Sequence, residues 1–132
     1  MSNATNQEQL SLLLAEYSGL PEFSGLECTG VNSASLFGDK PIHIAATRGD
    51  INEIQLILSQ GADVNCKGEH GYTALHDAVE QGHREAVIYL LKHGANSEAL
   101  NDDGVSPAEL AKLLDESEIL NLLGSTSFPR TV

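Results

Sequence analysis

Five histidines and two cysteines are the residues of this chain most suited to binding a metal ion. The cysteines, Cys28 and Cys66, form no Cys-x-x-Cys pair and have no zinc-type spacing to other ligands, which favours reduced, structural thiols. His70 lies close to Cys66 and is the single histidine that remains a metal candidate. One histidine and one cysteine are too few ligands, so we predict no metal site.

The run Asn-Asp-Asp-Gly at 101–104 has some likeness to a calcium-binding loop. In that register, position one would be Ala99 and position twelve Leu110, so two required carboxylates are missing. The chain also lacks a GxSxG or HExxH motif, a phosphate-binding Gly-Lys loop and a dinucleotide fingerprint. No nucleophile–base pair is visible. We therefore predict a protein that is not an enzyme and that needs no cofactor.

The composition and charge of the chain argue against some classes of binding partner. The chain has 132 residues, a net charge of −12, 41% hydrophobic residues and only 5% aromatic residues. Nucleic acids and anionic membranes attract Lys and Arg, so this charge argues against both and favours a partner with a basic surface. The alternative is that the acidity only keeps the protein soluble. No signal peptide or membrane-spanning run is visible, and we expect a cytoplasmic monomer.

The elements that position these side chains repeat at a fixed interval. Equivalent residues recur every 33 residues through the middle of the chain: Gly38, Gly71 and Gly104; Ala45, Ala78 and Ala111; Ile54, Val87 and Leu120. A period of this length indicates a repeat array, in which each unit buries its apolar face against the next. Apolar residues at helical spacing predict two short helices in each unit.

The segment Tyr72-Thr73-Ala74-Leu75-His76-Asp77-Ala78 resembles the T-P-L-H-x-A signature of ankyrin repeats. The resemblance covers residues 38 to 123 and implies an all-α solenoid of paired antiparallel helices with β-hairpin fingers. We divide the chain accordingly: an expression scar or disordered segment at 1–5, a capping helix and insertion loop at 6–37, repeats at 38–70 and 71–103, a C-terminal capping repeat at 104–124 and a tail at 125–132. The small inner-helix residues predict that the array curves and leaves a concave face.

Several residues are expected to hold the helix starts. Thr73 is a good N-cap, and Ser106 with Glu109 forms a capping box of the S-x-x-E type. The resemblance implies that His43 and His76 tie the finger backbone to the helix start. Lys40 occupies the usual threonine position of the first repeat, where its side chain cannot accept an amide hydrogen bond.

The resemblance also implies a partner-binding surface at the finger tips and inner-helix exits, and the carry-over is by position only. An exposed aromatic residue can anchor a partner, although Phe37 could instead cover the edge of the first repeat. The candidate residues are Phe37, Asp39, Arg48, Lys67, Glu69, His70, Tyr72, Glu80, Gln81, Asp102, Asp103 and Val105.

Two functions are compatible with this surface. The first is a non-catalytic adaptor or scaffold that binds a protein on its concave face. The second is a dedicated acidic inhibitor or antidote that covers a basic enzyme or toxin. The insertion loop from Ser18 to Gly30 is a further candidate for a functional segment.

Overall fold

The computed structural model describes residues 5–26 and 28–124. The sequence at 2–4, predicted to be an expression scar, and the predicted tail at 125–132 lie outside the described residues. Thr5 was expected to belong to the leading segment, but it caps the first helix instead, accepting from the N–H of Glu8 at 3.1 Å. Within the described residues the helices are α1 (Asn6–Ser18), α2 (Pro41–Arg48), α3 (Ile51–Ser59), α4 (Ala74–Glu80), α5 (Arg84–Lys92), α6 (Pro107–Leu113) and α7 (Ser117–Leu123).

The helices form two layers. In the inner layer, α4 packs between α2 and α6. In the outer layer, α3 contacts α1 and α5, and α5 also contacts α7. Alanines fill the inner layer, and Ala45, Ala78 and Ala111 are fully buried. Larger side chains such as Ile54 and Val87 fill the outer layer, also without exposure. The prediction of an all-α repeat solenoid is confirmed.

The inner helices end at the same backbone geometry in each repeat. Gly49 and Gly82 take left-handed conformations, with φ of 69° and 73°. Glycine adopts this region without steric cost, whereas other residues rarely do. Asp115 stands at the equivalent place in the third unit and still has φ of 60°. The repeat therefore fixes the backbone path even where the residue type is unfavourable.

The fingers differ from the prediction of β-hairpins. The described residues contain no β-strand. Each finger is a tight turn whose ends are joined by one backbone hydrogen bond, from Ser35 N to Asp39 O (2.7 Å), from Gly68 N to Tyr72 O (2.8 Å) and from Asn101 N to Val105 O. Within each turn a further bond runs from the N–H of Gly38, Gly71 or Gly104 to the carbonyl three residues earlier. These bonds close a turn and do not form the ladder of paired residues that defines two strands.

The segment after α1 is packed rather than loose. A 3₁₀ turn at Pro21–Phe23 buries Phe23 completely, and Cys28 is only 4% exposed. Ser18 Oγ accepts from the N–H of Cys28 at 2.8 Å and so fastens the end of the segment to α1. Two residues of the predicted insertion loop, Phe23 and Cys28, therefore belong to the core.

Candidate functional site

The junctions between fingers and inner helices are hydrogen-bonded through buried histidines. Nδ1 of His76 accepts from the N–H of Thr73 at 3.0 Å, so the proton must sit on Nε2, which donates to the carbonyl of Val105 at 2.9 Å. His43 repeats this arrangement between the N–H of Lys40 and the carbonyl of Cys66. Burial is the largest cause of the lowered pKa of both rings, which keeps them neutral. They bind backbone and cannot serve as general acids toward a ligand.

The three helix starts are unequal. The Thr73 hydroxyl accepts from the N–H of His76 at 3.3 Å, and Ser106 with Glu109 exchanges both bonds of a capping box at 3.2 Å. Lys40 has no side-chain acceptor, so α2 lacks the N-cap bond of the other two. Asp39 does not replace it, because its Oδ1 accepts from the N–H of Glu69 in the next finger at 2.9 Å.

Neighbouring fingers are connected to one another. Besides the bond from Glu69 to Asp39, Lys67 Nζ donates to the carbonyl of Leu100 at 2.7 Å. The N–H of Asp102 donates to the carbonyl of His70 at 3.0 Å. These bonds place the fingers side by side, and each finger leads directly into α2, α4 or α6. We call this combined surface of fingers and inner helices the inner-helix face.

Acidic groups gather on the inner-helix face around Tyr72. The tyrosine is half-buried, its hydroxyl donates to Glu80 Oε2 at 3.3 Å, and its ring centre lies 5.1 Å from that of His76. Burial first, then the charges of Glu80, Asp77 and Asp103, raise the pKa of Tyr72. The structure thus brings together several of the residues predicted for partner binding.

Asp77, which we did not predict as a site residue, lies at the buried end of this group. It is 9% exposed, and its Oδ2 has no hydrogen-bond partner among the described residues. Burial, followed by the charges of Asp39, Glu80 and Glu69, raises the pKa of Asp77 to about 9. A sequence signal existed, since the repeat places apolar Ile44 and Leu110 at the equivalent positions. We call Asp39, Glu69, Tyr72, Asp77 and Glu80 the acidic cluster.

Arg48 lies apart from the acidic cluster. Its Nη2 is 2.8 Å from Glu16 Oε2 and 3.3 Å from Glu53 Oε2, and its guanidinium sits 5.4 Å from the centre of the Tyr17 ring. The Tyr17 hydroxyl also donates to Glu53 at 2.6 Å. Through these contacts Arg48, the last residue of α2, connects α2 to α1 and α3.

The other residues predicted for partner binding lie on the fingers and at the end of α4. Phe37 is 64% exposed on the first finger, and Gln81 is exposed at the end of α4. His70 is exposed and takes a left-handed φ of 60°, beside Glu69 at 3.4 Å. Val105 is half-buried and contributes its carbonyl to His76.

Two kinds of site are not found in the described part of the chain. Between residues 5 and 124, leaving out residue 27, no three His, Cys, Asp or Glu side chains are close enough to hold one metal ion. Over the same residues, no helix is both long and apolar enough to cross a membrane.

Comparison with known proteins agrees with this architecture. A family model described as ankyrin repeats, in three copies, matches residues 2–101 and so also takes in α1. The human ankyrin repeat domain-containing protein 40 is 41% identical over 81 residues, which are 61% of this chain and 21% of that protein. Human protein phosphatase 1 regulatory subunit 27 is 34% identical over 86 residues, 65% of this chain and 55% of that protein.

A third relative, the inhibitor of Bruton tyrosine kinase from Xenopus laevis, is 39% identical over 85 residues, 63% of this chain and 6% of that protein. The chain therefore spans between about a twentieth and just over half of the length of these three relatives. The family match covers most of the chain and includes α1 to α5, whereas α6 and α7 follow its end. The chain belongs to the ankyrin repeat family, whose members generally bind other proteins.

Proposed function

We propose that this protein is a non-catalytic interaction module that binds a partner protein through its inner-helix face, and that the partner presents a basic surface. The observation that carries the proposal is the acidic cluster. Its carboxylates surround a half-buried tyrosine on an exposed face, and the charges acting on Asp77 are all negative. Complementary charge speeds association and selects partners, while a desolvated aromatic residue supplies binding energy.

The relatives support an interaction role without naming the partner. Two of them carry regulatory names, a phosphatase regulatory subunit and a kinase inhibitor. The match covers 86 residues in the first and 85 residues in the second. An adaptor is therefore the first candidate function.

Inhibition of a basic enzyme or toxin is the second candidate, and the observation that favours it is the net charge of −12. An inhibitor of this kind would cover its target's active surface. Purified complex would then lose the target's activity, whereas an adaptor would leave it intact.

Affinity capture from the native cell extract, followed by surface plasmon resonance on the captured partner, tests the proposal. Tyr72→Ala should raise the dissociation rate by about thirtyfold if Tyr72 is a central anchor, equivalent to about 2 kcal/mol. Tyr89→Ala is the matched control, because Tyr89 is half-buried on α5 and stacks on His93 away from this face. Equal increases in the dissociation rate for the two variants would mean that the partner binds a surface other than the inner-helix face.

Salt dependence tests the electrostatic part. Asp102→Asn with Asp103→Asn should lower the association rate and its sensitivity to salt. The control removes two charges from the outer helices, Glu85→Gln with Glu118→Gln, and should change the rate less. An association rate that ignores both salt and the finger charges would count against a basic partner.

We further propose that the protein works as a monomer in a reducing, cytoplasmic environment. Cys28 is buried and Cys66 is half-buried, and both are free thiols. Light scattering with and without reductant tests this, and a dimer that persists at low concentration would contradict it.

A further inference from the structure

We propose that the partner crosses the inner-helix face as an extended segment with an apolar residue at each end and basic residues between them. This inference rests on the proposed function and adds to it the order of chemical groups in the partner. The juxtaposition that carries it is two exposed apolar pairs at opposite corners of the inner-helix face, with carboxylates between them. The first corner is Leu36 with Phe37, and the second corner is Leu113 with Leu114.

The first corner is at the tip of the first finger. Phe37 is 64% exposed, and Leu36 beside it is exposed as well. The equivalent pairs of the second and third fingers, at 69–70 and 102–103, are polar. His70, the equivalent of Phe37, is exposed although its finger is bonded to a neighbouring finger on each side. The fold therefore neither covers this position nor requires an apolar residue there.

The second corner is at the end of α6, the last inner helix of the described residues. Leu113 is 72% exposed, and Leu114 is also exposed. The equivalent pairs at the ends of α2 and α4, at 47–48 and 80–81, are polar. Glu80 and Gln81 are exposed even though α6 packs on α4. The exposure of Leu113 is thus a property of the position and does not come from its place in the last unit.

The two corners belong to units that are not neighbours. The first finger leads into α2, and α4 packs between α2 and α6. Packed helices lie about 8–10 Å apart, so the two steps from α2 to α6 cover about 16–20 Å. An extended chain advances about 3.3 Å per residue, so about six residues would span the distance between the corners.

The region between the corners is acidic. In the second unit the Tyr72 hydroxyl donates to Glu80, and Glu69 belongs to the same finger as Tyr72. Lys67 is the single lysine or arginine in residues 67–80, and its Nζ donates to the carbonyl of Leu100 at 2.7 Å. Opposite charges attract across an interface, so basic residues suit the middle of the segment. The net charge of −12 argues against a second copy of this chain as the occupant.

An extended segment can present all of these groups on one side. Alternate side chains of an extended chain point the same way, so positions 1, 3, 5 and 7 of a seven-residue segment face one surface. Apolar residues at the first and last positions would reach the corners, and basic residues at the two middle positions would lie over the carboxylates. In a helix the same four positions would be spread around the axis.

The test uses two synthetic peptides of identical composition and charge. The first, acetyl-Leu-Ser-Lys-Ser-Lys-Ser-Leu-amide, has the proposed order, and the second, acetyl-Lys-Ser-Leu-Ser-Leu-Ser-Lys-amide, exchanges the leucines and lysines. Titration followed by NMR should give saturable shifts in the first finger and at the end of α6 with the first peptide. The second peptide should bind about tenfold more weakly, because its leucines cannot reach the two corners together.

Two variants each remove one corner anchor. Phe37→Ala and Leu113→Ala should each weaken binding of the first peptide by about fivefold, and the two effects should multiply in the double variant because the sites are far apart. Leu12→Ala is the matched control, since Leu12 is 71% exposed on α1 in the outer layer and its removal should leave binding unchanged. All three side chains are exposed, so the variants should fold, which circular dichroism checks.

The outcomes separate the two proposals. Equal binding of the two peptides, unchanged binding by Phe37→Ala and Leu113→Ala, or no saturable shift up to the solubility of the peptides would overturn this inference alone, because capture of a partner tests the proposed function separately. Shifts at the same residues that grow with protein concentration, without peptide, would mean that a second copy occupies the corners and would also overturn it. Shifts confined to the outer helices would count against both proposals.

Discussion

His76 and Asp77 are consecutive residues of α4, and both are buried, but their polar atoms have opposite environments. At the finger–helix junction, His76 has a backbone partner for each ring nitrogen. One residue later, Oδ2 of Asp77 has no partner among the described residues, and the charges that raise the pKa of Asp77 are all negative. The junction is complete within one chain, whereas the acidic cluster is not. The difference separates residues that hold the repeat together from a residue that the fold alone does not require.

The difference between His76 and Asp77 should have its largest effect on the pH dependence of stability. The folded pKa of Asp77 is raised to about 9, whereas the unfolded value is about 3.9. The native state therefore binds the proton more tightly than the unfolded state, and stability falls as pH rises from about 4 to about 9. Asn carries no such proton. We expect Asp77→Asn to stabilise the protein by about 2–4 kcal/mol at pH 8 and by less at pH 5.

Urea unfolding at the two pH values measures this effect. Glu85→Gln is the control, since it removes a carboxylate from the exposed face of α5 and should leave the pH dependence of the wild type unchanged. A loss of stability in Asp77→Asn at pH 8 would mean that Asp77 already has its partner within the chain. The acidic cluster would then resemble the junction, and the comparison would fail.

The second prediction concerns His76, the residue whose two ring nitrogens both have backbone partners. His76→Ala leaves the N–H of Thr73 and the carbonyl of Val105 without their buried partner. We expect a loss of about 1–3 kcal/mol in the free energy of unfolding, because unsatisfied buried polar groups are costly. His93→Ala is the control, because His93 is the exposed residue that follows α5, and the change should cost less than about 0.5 kcal/mol. Equal melting temperatures for the two variants would remove the structural role of the His76 ring.

The repeat period explains why much of the backbone could be predicted. The spacing of 33 residues and the apolar pattern predict two short helices in each unit, and α2 with α3, α4 with α5 and α6 with α7 are these pairs. The left-handed φ of Asp115 shows that the array dictates this geometry even without glycine. The predicted hairpin strands did not form in the described residues, because the backbone bonds of each finger close a turn and do not continue as a ladder.

Side-chain partners were harder to predict, because they depend on packing between elements. Arg48 occupies a position expected to be free, yet Glu16 of α1 lies 2.8 Å away. The repeat pattern does not specify how the helix before the first repeat sits against it. Asp77 was not predicted to be a buried site residue, since a carboxylate is rarely buried without a partner. Its equivalents Ile44 and Leu110 are the signal that could have identified its burial.

The smallest predicted effect concerns the one junction that lacks a cap. The helix α2 has the histidine half of the arrangement, with the N–H of Lys40 bonded to His43, but no side-chain oxygen at the N-cap. Lys40→Thr adds an acceptor for the N–H of His43, as Thr73 provides for His76. Capping residues contribute about 1 kcal/mol, so we expect the free energy of unfolding to rise by about that amount.

Lys40→Ala removes the same charge without adding an acceptor and should give no such gain. Ser106→Ala should lose about the same amount at α6, because it deletes a cap that is already made. Denaturant unfolding of the three variants decides the matter: if Lys40→Thr and Lys40→Ala are equally stable, the three junctions differ by more than their caps, and the finger bond from Asp39 to Glu69 becomes the next contact to remove.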